Sequence, residues 1–213
     1  MLMNYFMRKI ISKHEEGRKR KRNQLIVGGV LIFIMFFSVL GYSFRGGDEN
    51  TKKINYNGFE FINQNDFWIL NTENFYFVFK NNPKQVEEIG GDLEYLENYY
   101  DKPLYIYSEN SESEIEIYRN LFYQNQIVQR MQSACLDENI TNTTLGERIV
   151  LECDENLPIK NCEDNFIIIK EDNNTKITQN KNCVFIFGQQ ENLTKITDEF
   201  LFKILGIREQ QVL

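Results

Sequence analysis

The sequence predicts an α/β or α+β domain, disulfide-bonded and extracytoplasmic, with a mixed sheet and two main amphipathic helices, placed behind one N-terminal transmembrane helix. Three observations carry this reading. Leu25–Phe44 is an apolar run without a charge, all four cysteines lie after it, and the rest of the chain alternates short β-prone runs with helical patterns. Strands interleaved with helices favour layered α/β architectures over all-α or all-β ones.

The apolar run has the length of a membrane span. At about 1.5 Å rise per residue its twenty residues make a helix roughly 30 Å long, the thickness of a bilayer's hydrocarbon core. Before it, residues 1–24 hold eight Lys or Arg, five of them consecutive at Arg18–Arg22, against Glu15 and Glu16. That is a net +6, and the chain's total of −7 leaves −13 for residues 25–213. Basic residues beside a span stay on the cytoplasmic side. The expected organisation is a basic cytoplasmic tail (1–24), a transmembrane helix (25–44), a linker (45–56) and an extracytoplasmic α/β domain (57–213).

An uncleaved signal-anchor is expected, because the run exceeds the apolar core of a cleaved signal peptide and Val39-Leu40-Gly41 is a poor cleavage site. A basic run such as Arg18–Arg22 can bind nucleic acid. Its position against the span points to anionic lipid instead, so membrane lipid is the expected partner of residues 25–44 and of the tail, and nucleic acid is not. Met3, Phe6, Met7, Ile10 and Ile11 have the spacing of a short interfacial helix, with a frayed tail as the alternative. Gly28 and Gly29 form no small-xxx-small repeat and read as tolerated glycines.

Arg45 to Asn55, with Gly46 and Gly47, reads as a flexible stalk. Asn57–Ile62, Phe67–Leu70 and Phe75–Phe79 read as a three-stranded antiparallel meander, turning at Gln64-Asn65-Asp66 and at Asn71–Asn74, with Trp68 as a core anchor. Asn82-Pro83 has the form of a helix cap and first position, for a helix running through Val86 and Ile89 to Gly90-Gly91. Asp92–Tyr100 suggests a second short helix, and Leu104–Tyr107 a strand.

Ser111–Cys135 gives the longest helical pattern. Ile117, Tyr118, Leu121, Val128, Met131 and Cys135 fall on one face, and Ser111 with Glu114 forms a capping box. Glu112, Glu114 and Glu116 suit the positive end of that helix, so capping and solvation explain them before cation binding or paired-carboxylate chemistry does. Arg148–Glu152, Phe166–Lys170 and Cys183–Phe187 follow as strands, with Lys176–Thr178 as a short fourth. The final helix buries Leu193, Ile196, Phe200, Leu201 and Ile204 and stops at Gly206. A strand–Gly–helix turn can hold an anion, but Gly188-Gln189-Gln190 has no Lys, Ser or Thr beside the glycine, and no ligand is assigned to it.

Four cysteines on the predicted outer side, Cys135, Cys153, Cys162 and Cys183, read as two disulfides; the spacings do not suit zinc. Of the three pairings, Cys135–Cys153 with Cys162–Cys183 is favoured, and each short loop it closes would contribute about 3 kcal/mol. Sequons at Asn139, Asn142, Asn173 and Asn192 are candidate glycosylation sites. The single histidine, His14, lies in the tail. The outer domain therefore has no Ser-His-Asp or Cys-His arrangement, and neither a P-loop nor a dinucleotide fingerprint is present. No catalytic, cofactor-binding or metal residue is assigned, and no cofactor is expected.

Several segments together resemble a set of uncharacterised single-pass membrane proteins predicted from archaeal genomes. They are NGFEF and the following tryptophan (Asn57–Trp68), FVFKNNPKQVEEI (Phe77–Ile89), Pro158-Ile159 with Cys162, and Asn182–Gly188 with Asp198–Ile207. The resemblance implies a folded outer domain and brings no activity with it.

Anchor, disulfides and the missing catalytic constellation point to a structural or interaction domain with a protein partner in the membrane or envelope, such as an accessory subunit of a complex. The alternative is a hydrolase acting on glycan through two carboxylates, drawn from Glu147, Glu152, Asp154 and Glu155.

Overall fold

The computed structural model describes residues 13–44, 52–137, 141–142, 147–148 and 151–209. The expected interfacial helix, the Gly46-Gly47 stalk and Asn139 lie outside them. The chain divides into two units, Met1–Asn50 and Thr51–Leu213.

In the first unit Lys13–Phe44 forms one 32-residue α-helix, α1, which takes in the basic run as well as the apolar one. Its Lys21–Ser38 stretch is long and apolar enough to cross a membrane. The large apolar side chains from Leu25 to Phe37 are all exposed, a surface that water disfavours and lipid accepts.

The second unit begins with a four-stranded antiparallel sheet in the order β1-β2-β3-β4. Its strands are β1 (Lys53–Tyr56), β2 (Phe59–Gln64), β3 (Phe67–Asn71) and β4 (Tyr76–Phe79). The first two turns have two residues each, Asn57-Gly58 (φ 47° and 84°) and Asn65-Asp66 (φ 51° and 64°). Positive φ at both positions matches the twist of the flanking strands, and Asn, Asp and Gly tolerate it best. One face aligns Phe61, Leu70 and Phe77 across three strands, with Trp68 opposite Phe79 beside them, and all five are buried.

The remaining elements are β5 (Pro103–Ser108), α2 (Ser111–Ile117), β6 (Arg130–Ser133), β7 (Cys135–Leu136), β8 (Thr141–Asn142), β9 (Glu147–Arg148), β10 (Ile159–Lys160), β11 (Asn165–Glu171), β12 (Lys176–Asn180), β13 (Cys183–Gly188) and α3 (Leu193–Ile204). A five-stranded sheet has the order β12-β13-β11-β5-β6. It is parallel apart from β12, which pairs antiparallel at one edge. Its central strands are buried on both faces, so FIII and CVFIF read as continuous apolar runs.

One face of this sheet (Leu104, Ile106, Ile167, Ile169, Val184, Ile186) packs on α2 and α3. The far side of α3 meets the four-stranded sheet: the Phe202 ring stands 4.8 Å from that of Phe79 and 6.0 Å from that of Phe61. The layers run sheet, helix, sheet, and eleven of the twelve α3 residues are buried. Gly188 permits this closeness, because a Cβ there would collide with Ile196 Cδ1. The helix ends as expected at Gly206 (φ 67°). Ile207 N–H bonds Phe202 O and Gly206 N–H bonds Lys203 O, a Schellman closure.

On the other face of the sheet Tyr105, Phe166, Ile168, Phe185 and Phe187 pack with Ala134, Leu136, Leu151 and Cys162. Two disulfides lie on this side, Cys135–Cys153 and Cys162–Cys183, with Cα separations of 5.9 and 4.8 Å. The sequential pairing expected from the sequence is the one present.

Several expected elements differ. Lys53–Tyr56 is the first strand and not linker, so the meander has four strands. The helix expected from Asn82 to Ile89 is a single turn. Gln85 Oε1 accepts from the backbone and side-chain N–H of Asn82, and the carbonyls of Pro83 and Val86, which a helix would need, accept from Arg208 instead. Asp92–Tyr100 forms only a 3₁₀ turn, Leu96–Tyr99.

The Ser111–Cys135 helix breaks into three parts. α2 is capped by Asn110, whose side chain accepts from Ser113 N–H, so the Ser111–Glu114 box is not the cap. The chain then widens into a π-helical turn, Tyr118–Tyr123. Asn120 Nδ2 donates to Glu116 O within the ladder, an insertion of the kind that opens helical turns. Met131 lies in β6 and Cys135 in β7. Of the strand expected at Arg148–Glu152, Arg148 pairs with Thr141, Leu151 and Glu152 lie outside any strand, and Ile149 and Val150 lie outside the described residues.

Candidate functional site

The densest collection of buried polar groups lies along the seam between α2 and α3. Each helix follows a parallel strand, β5 or β13, so the two run in the same direction. Thr194 Oγ1 reaches Glu112 Oε2 at 3.5 Å across the seam. One turn further along, α2 presents Ser113 and Glu116 and α3 presents Thr197 and Asp198, all four buried.

The turn after β4 supplies the donors. Asp198 Oδ2 accepts from the N–H and Nδ2 of Asn81, each at 2.9 Å. Glu116 Oε1 accepts from Arg119 Nη1 at 2.9 Å, and the backbone N–H of Lys80 also favours its charged form. Thus Lys80 and Asn81, consecutive in the chain, face one acid each. Arg119 in turn lies 4.8 Å over the Phe67 ring, which Lys80 also approaches.

Burial pushes the Asp198 carboxyl well above the ordinary range, and the nearby negative Glu116 pushes it further, against Asn81 and Arg119. Glu116 is raised by the same burial despite Arg119. Among the described residues no partner reaches Ser113 Oγ, Glu116 Oε2, Thr197 Oγ1 or Asp198 Oδ1. Buried oxygens in that state are rare in folded proteins and call for an explanation.

A second centre sits on the opposite edge of α3. Arg208 donates from Nε to Glu199 Oε2, from Nη1 to Tyr56 Oη, and from Nη2 to the carbonyls of Pro83 and Val86. It fastens β1, the turn at Pro83 and α3 together. Burial raises Glu199 to about 7 in spite of the guanidinium, and lowers the pKa of Lys203, whose Nζ donates to Gly91 O.

Of the carboxylates considered from the sequence, those whose side chains are described form no such centre. Glu152, Asp154 and Glu155 are exposed. Asp154 Oδ1 accepts from the N–H and Nδ2 of Asn156, and the backbone N–H bond is the main reason its pKa is lowered. The backbone carbonyl of Glu152 accepts from Tyr107 Oη at 3.5 Å, and that hydroxyl also meets Glu109. Of Glu147 the structure gives the backbone in β9. Glu112 reaches Thr194, whereas Glu116 is buried between the helices and not solvated.

Among the sequons, Asn173 is exposed in the turn between β11 and β12, with Thr175 also exposed. Asn192 is half-buried and lines a cavity of about 180 Å³ with Lys195 and Ile196. Its Thr194 is buried. Asn142 lies in β8.

Among the described residues no group of three or more His, Cys, Asp or Glu is arranged to hold a metal ion. Comparison with protein-family models, with curated proteins and with solved structures finds no match.

A single apolar stripe on α3 does not lead to the Glu116–Asp198 pair. The available signal was Phe202, which breaks the single stripe and marks a helix with apolar contacts on two sides. Polar residues between two apolar faces have no route to water.

Proposed function

We propose that the chain is a single-pass membrane protein whose outer part, residues 57–213 with β1, is a non-enzymatic interaction domain that holds a protein partner of a membrane or envelope complex. The observation carrying this reading is the division of chemistry along the chain. The apolar stretch of α1 has five consecutive basic residues on its N-terminal side, and both disulfides lie on its C-terminal side. Disulfides persist in oxidising surroundings, and basic flanks stay in the cytoplasm. Both facts support the same orientation.

The interaction role rests on the disulfide-held α/β domain and on an exposed aromatic rim at the π-helical turn, where Tyr118 and Tyr123 stack at 6.1 Å beside exposed Ile115. Aromatic side chains are enriched where proteins meet partners.

A membrane-impermeant thiol reagent tests the topology. Intact cells carrying the full-length protein become labelled only after reduction. Labelling without reductant excludes the disulfides, and labelling only after lysis reverses the orientation. Solubilisation in mild detergent followed by pull-down and mass spectrometry tests the role: a stoichiometric membrane partner is expected, lost on Tyr118→Ala with Tyr123→Ala. Recovery of the protein alone would refute the interaction role and leave the topology standing.

A further inference from the structure

We infer that Glu116 and Asp198 share one proton across the α2–α3 seam, as a carboxylic acid bonded to a carboxylate, and that this proton fastens α2 and the π-helical turn to α3. The geometry has three parts. Each acid has one oxygen satisfied, Glu116 Oε1 by Arg119 and Asp198 Oδ2 by Asn81. Each has its other oxygen buried and unpartnered among the described residues. The two carboxyls come from facing helices and lie against consecutive residues of one turn, Lys80 and Asn81.

A single proton resolves both vacancies, since the acid donates its O–H and the carboxylate accepts it. Two buried carboxylates close enough to repel cannot both be ionised cheaply, and such pairs retain a proton well above the ordinary range. The groups facing the pair are few. α2 brings Ser113 and, one turn away, Glu112, which is occupied by Thr194. The π-helical turn brings Arg119 and Asn120, and Asn120 Nδ2 donates to the carbonyls of Val78 and Glu116. The turn after β4 brings Lys80 and Asn81, and α3 itself brings Thr197. The one guanidinium, Arg119, is paired with Glu116, and Asp198 has the neutral Asn81 amides in contact. Ser113 and Thr197 bring buried neutral hydroxyls on the same two helices.

The folded chain holds this proton and the unfolded chain releases it at ordinary carboxylate values, near 4. Stability from the pair is therefore complete in acid and declines as pH rises, and each pH unit raises the unfolding equilibrium constant about tenfold for one proton.

The test uses the full-length protein in detergent, unfolded by denaturant and followed by its single tryptophan, Trp68, which is buried. In Asp198→Asn the amide reproduces the protonated acid, with Nδ2 in place of the O–H. Its unfolding constant is expected to lose the tenfold-per-unit rise that the pair contributes, read above the value for Glu199, and at alkaline pH to lie at or below that of the unsubstituted protein. An unchanged pH slope with weaker folding at every pH would overturn the inference. The unsubstituted protein supplies a second measurement that needs no variant. At about pH 8, above the value for Glu199, the infrared spectrum shows a carboxylic-acid carbonyl band, and Asp198→Asn or Glu116→Gln removes it. Absence of that band overturns the inference as well.

Discussion

Arg208 Nε lies 2.6 Å from Glu199 Oε2, and the Arg208 side chain is 5% exposed. The remaining guanidinium donors reach Tyr56 and the carbonyls of Pro83 and Val86, so one side chain just past α3 ties together three segments far apart in sequence.

Removing that side chain leaves Glu199 and two carbonyls without their donor. Arg208→Ala should destabilise the domain by about 3–5 kcal/mol, the cost of breaking a buried charged pair from one side. Arg208→Lys should recover only part, because an ammonium cannot present the guanidinium fork. Denaturant titration followed by Trp68 fluorescence checks both, and equal recovery by lysine would show that charge alone matters.

Glu199 gives a distinct pH signature. Its pKa rises from 4.5 in the unfolded chain to about 7 in the fold, chiefly through burial. A raised carboxyl pKa stabilises fully below 4.5, and that contribution is lost as pH climbs towards 7. Glu199→Gln retains an acceptor for Arg208 and should remove one proton's share of the slope between those values, leaving the share of the Glu116–Asp198 pair. A profile left unchanged in that window would show that Glu199 titrates with the unfolded chain.

Two glycines should differ in sensitivity. Gly91 has φ +147° and a Cβ there would lie 2.6 Å from the Ile177 carbonyl oxygen, whereas at Gly188 the obstacle is the side-chain end of Ile196. Side chains rotate and strand carbonyls do not. Gly188→Ala should cost about 1–3 kcal/mol, and Gly91→Ala should cost more, with loss of the Lys203–Gly91 bond. Melting temperatures of the two variants settle the order.

The disulfides should be unequal. Cys162 and Cys183 are both buried against Phe166 and Phe185, while Cys153 is exposed. Each cross-link contributes about 3 kcal/mol through loop closure, worth about 10 °C in a domain of this size. Paired serine substitution at Cys162 and Cys183 should lower the melting temperature further than at Cys135 and Cys153, because polar hydroxyls then replace sulfur inside the core. Mild reductant should open Cys135–Cys153 first, which differential alkylation detects.

Glycan occupancy should follow exposure. On the proposed topology, Asn173→Gln should remove one glycan-sized step in gel mobility. Asn192→Gln should leave mobility unchanged, since Thr194 is enclosed in the helix seam. A mobility change from Asn192→Gln alone would contradict this assignment.

What the sequence made legible was the local pattern. The runs at Phe166–Lys170 and Cys183–Phe187 are continuous because both faces of the strands are covered, and the stripe of α3 with its Gly206 stop was plain. The errors came from distant partners. Nothing near Pro83 shows that Arg208 will take its carbonyl, and nothing near Val128 shows that Asn120 will divert the helix ladder. The two-residue turn at Asn57-Gly58 was readable, and it marks the strand Lys53–Tyr56 that was taken as linker. The acid pair was not readable from spacing, because Glu116 and Asp198 meet only once two parallel strand–helix units sit side by side.

The enclosure of α3 between two sheets sets a timetable for synthesis. Tyr56 and Arg208 bond across 152 positions of chain, and Phe61 and Phe79 find their ring partner only when Phe202 emerges. The four-stranded sheet, made early, must therefore wait with its aromatic face open through most of synthesis. Contacts of such long range close slowly, and an open apolar face invites aggregation in the interval. At its flank, the amide side chains of Asn120 and Asn125 occupy the outer edge of β4 by bonding the backbone of Tyr76 and Val78. A newly made chain thus gains a guard on that edge as soon as the π-helical turn arrives, well before the helix that completes the fold.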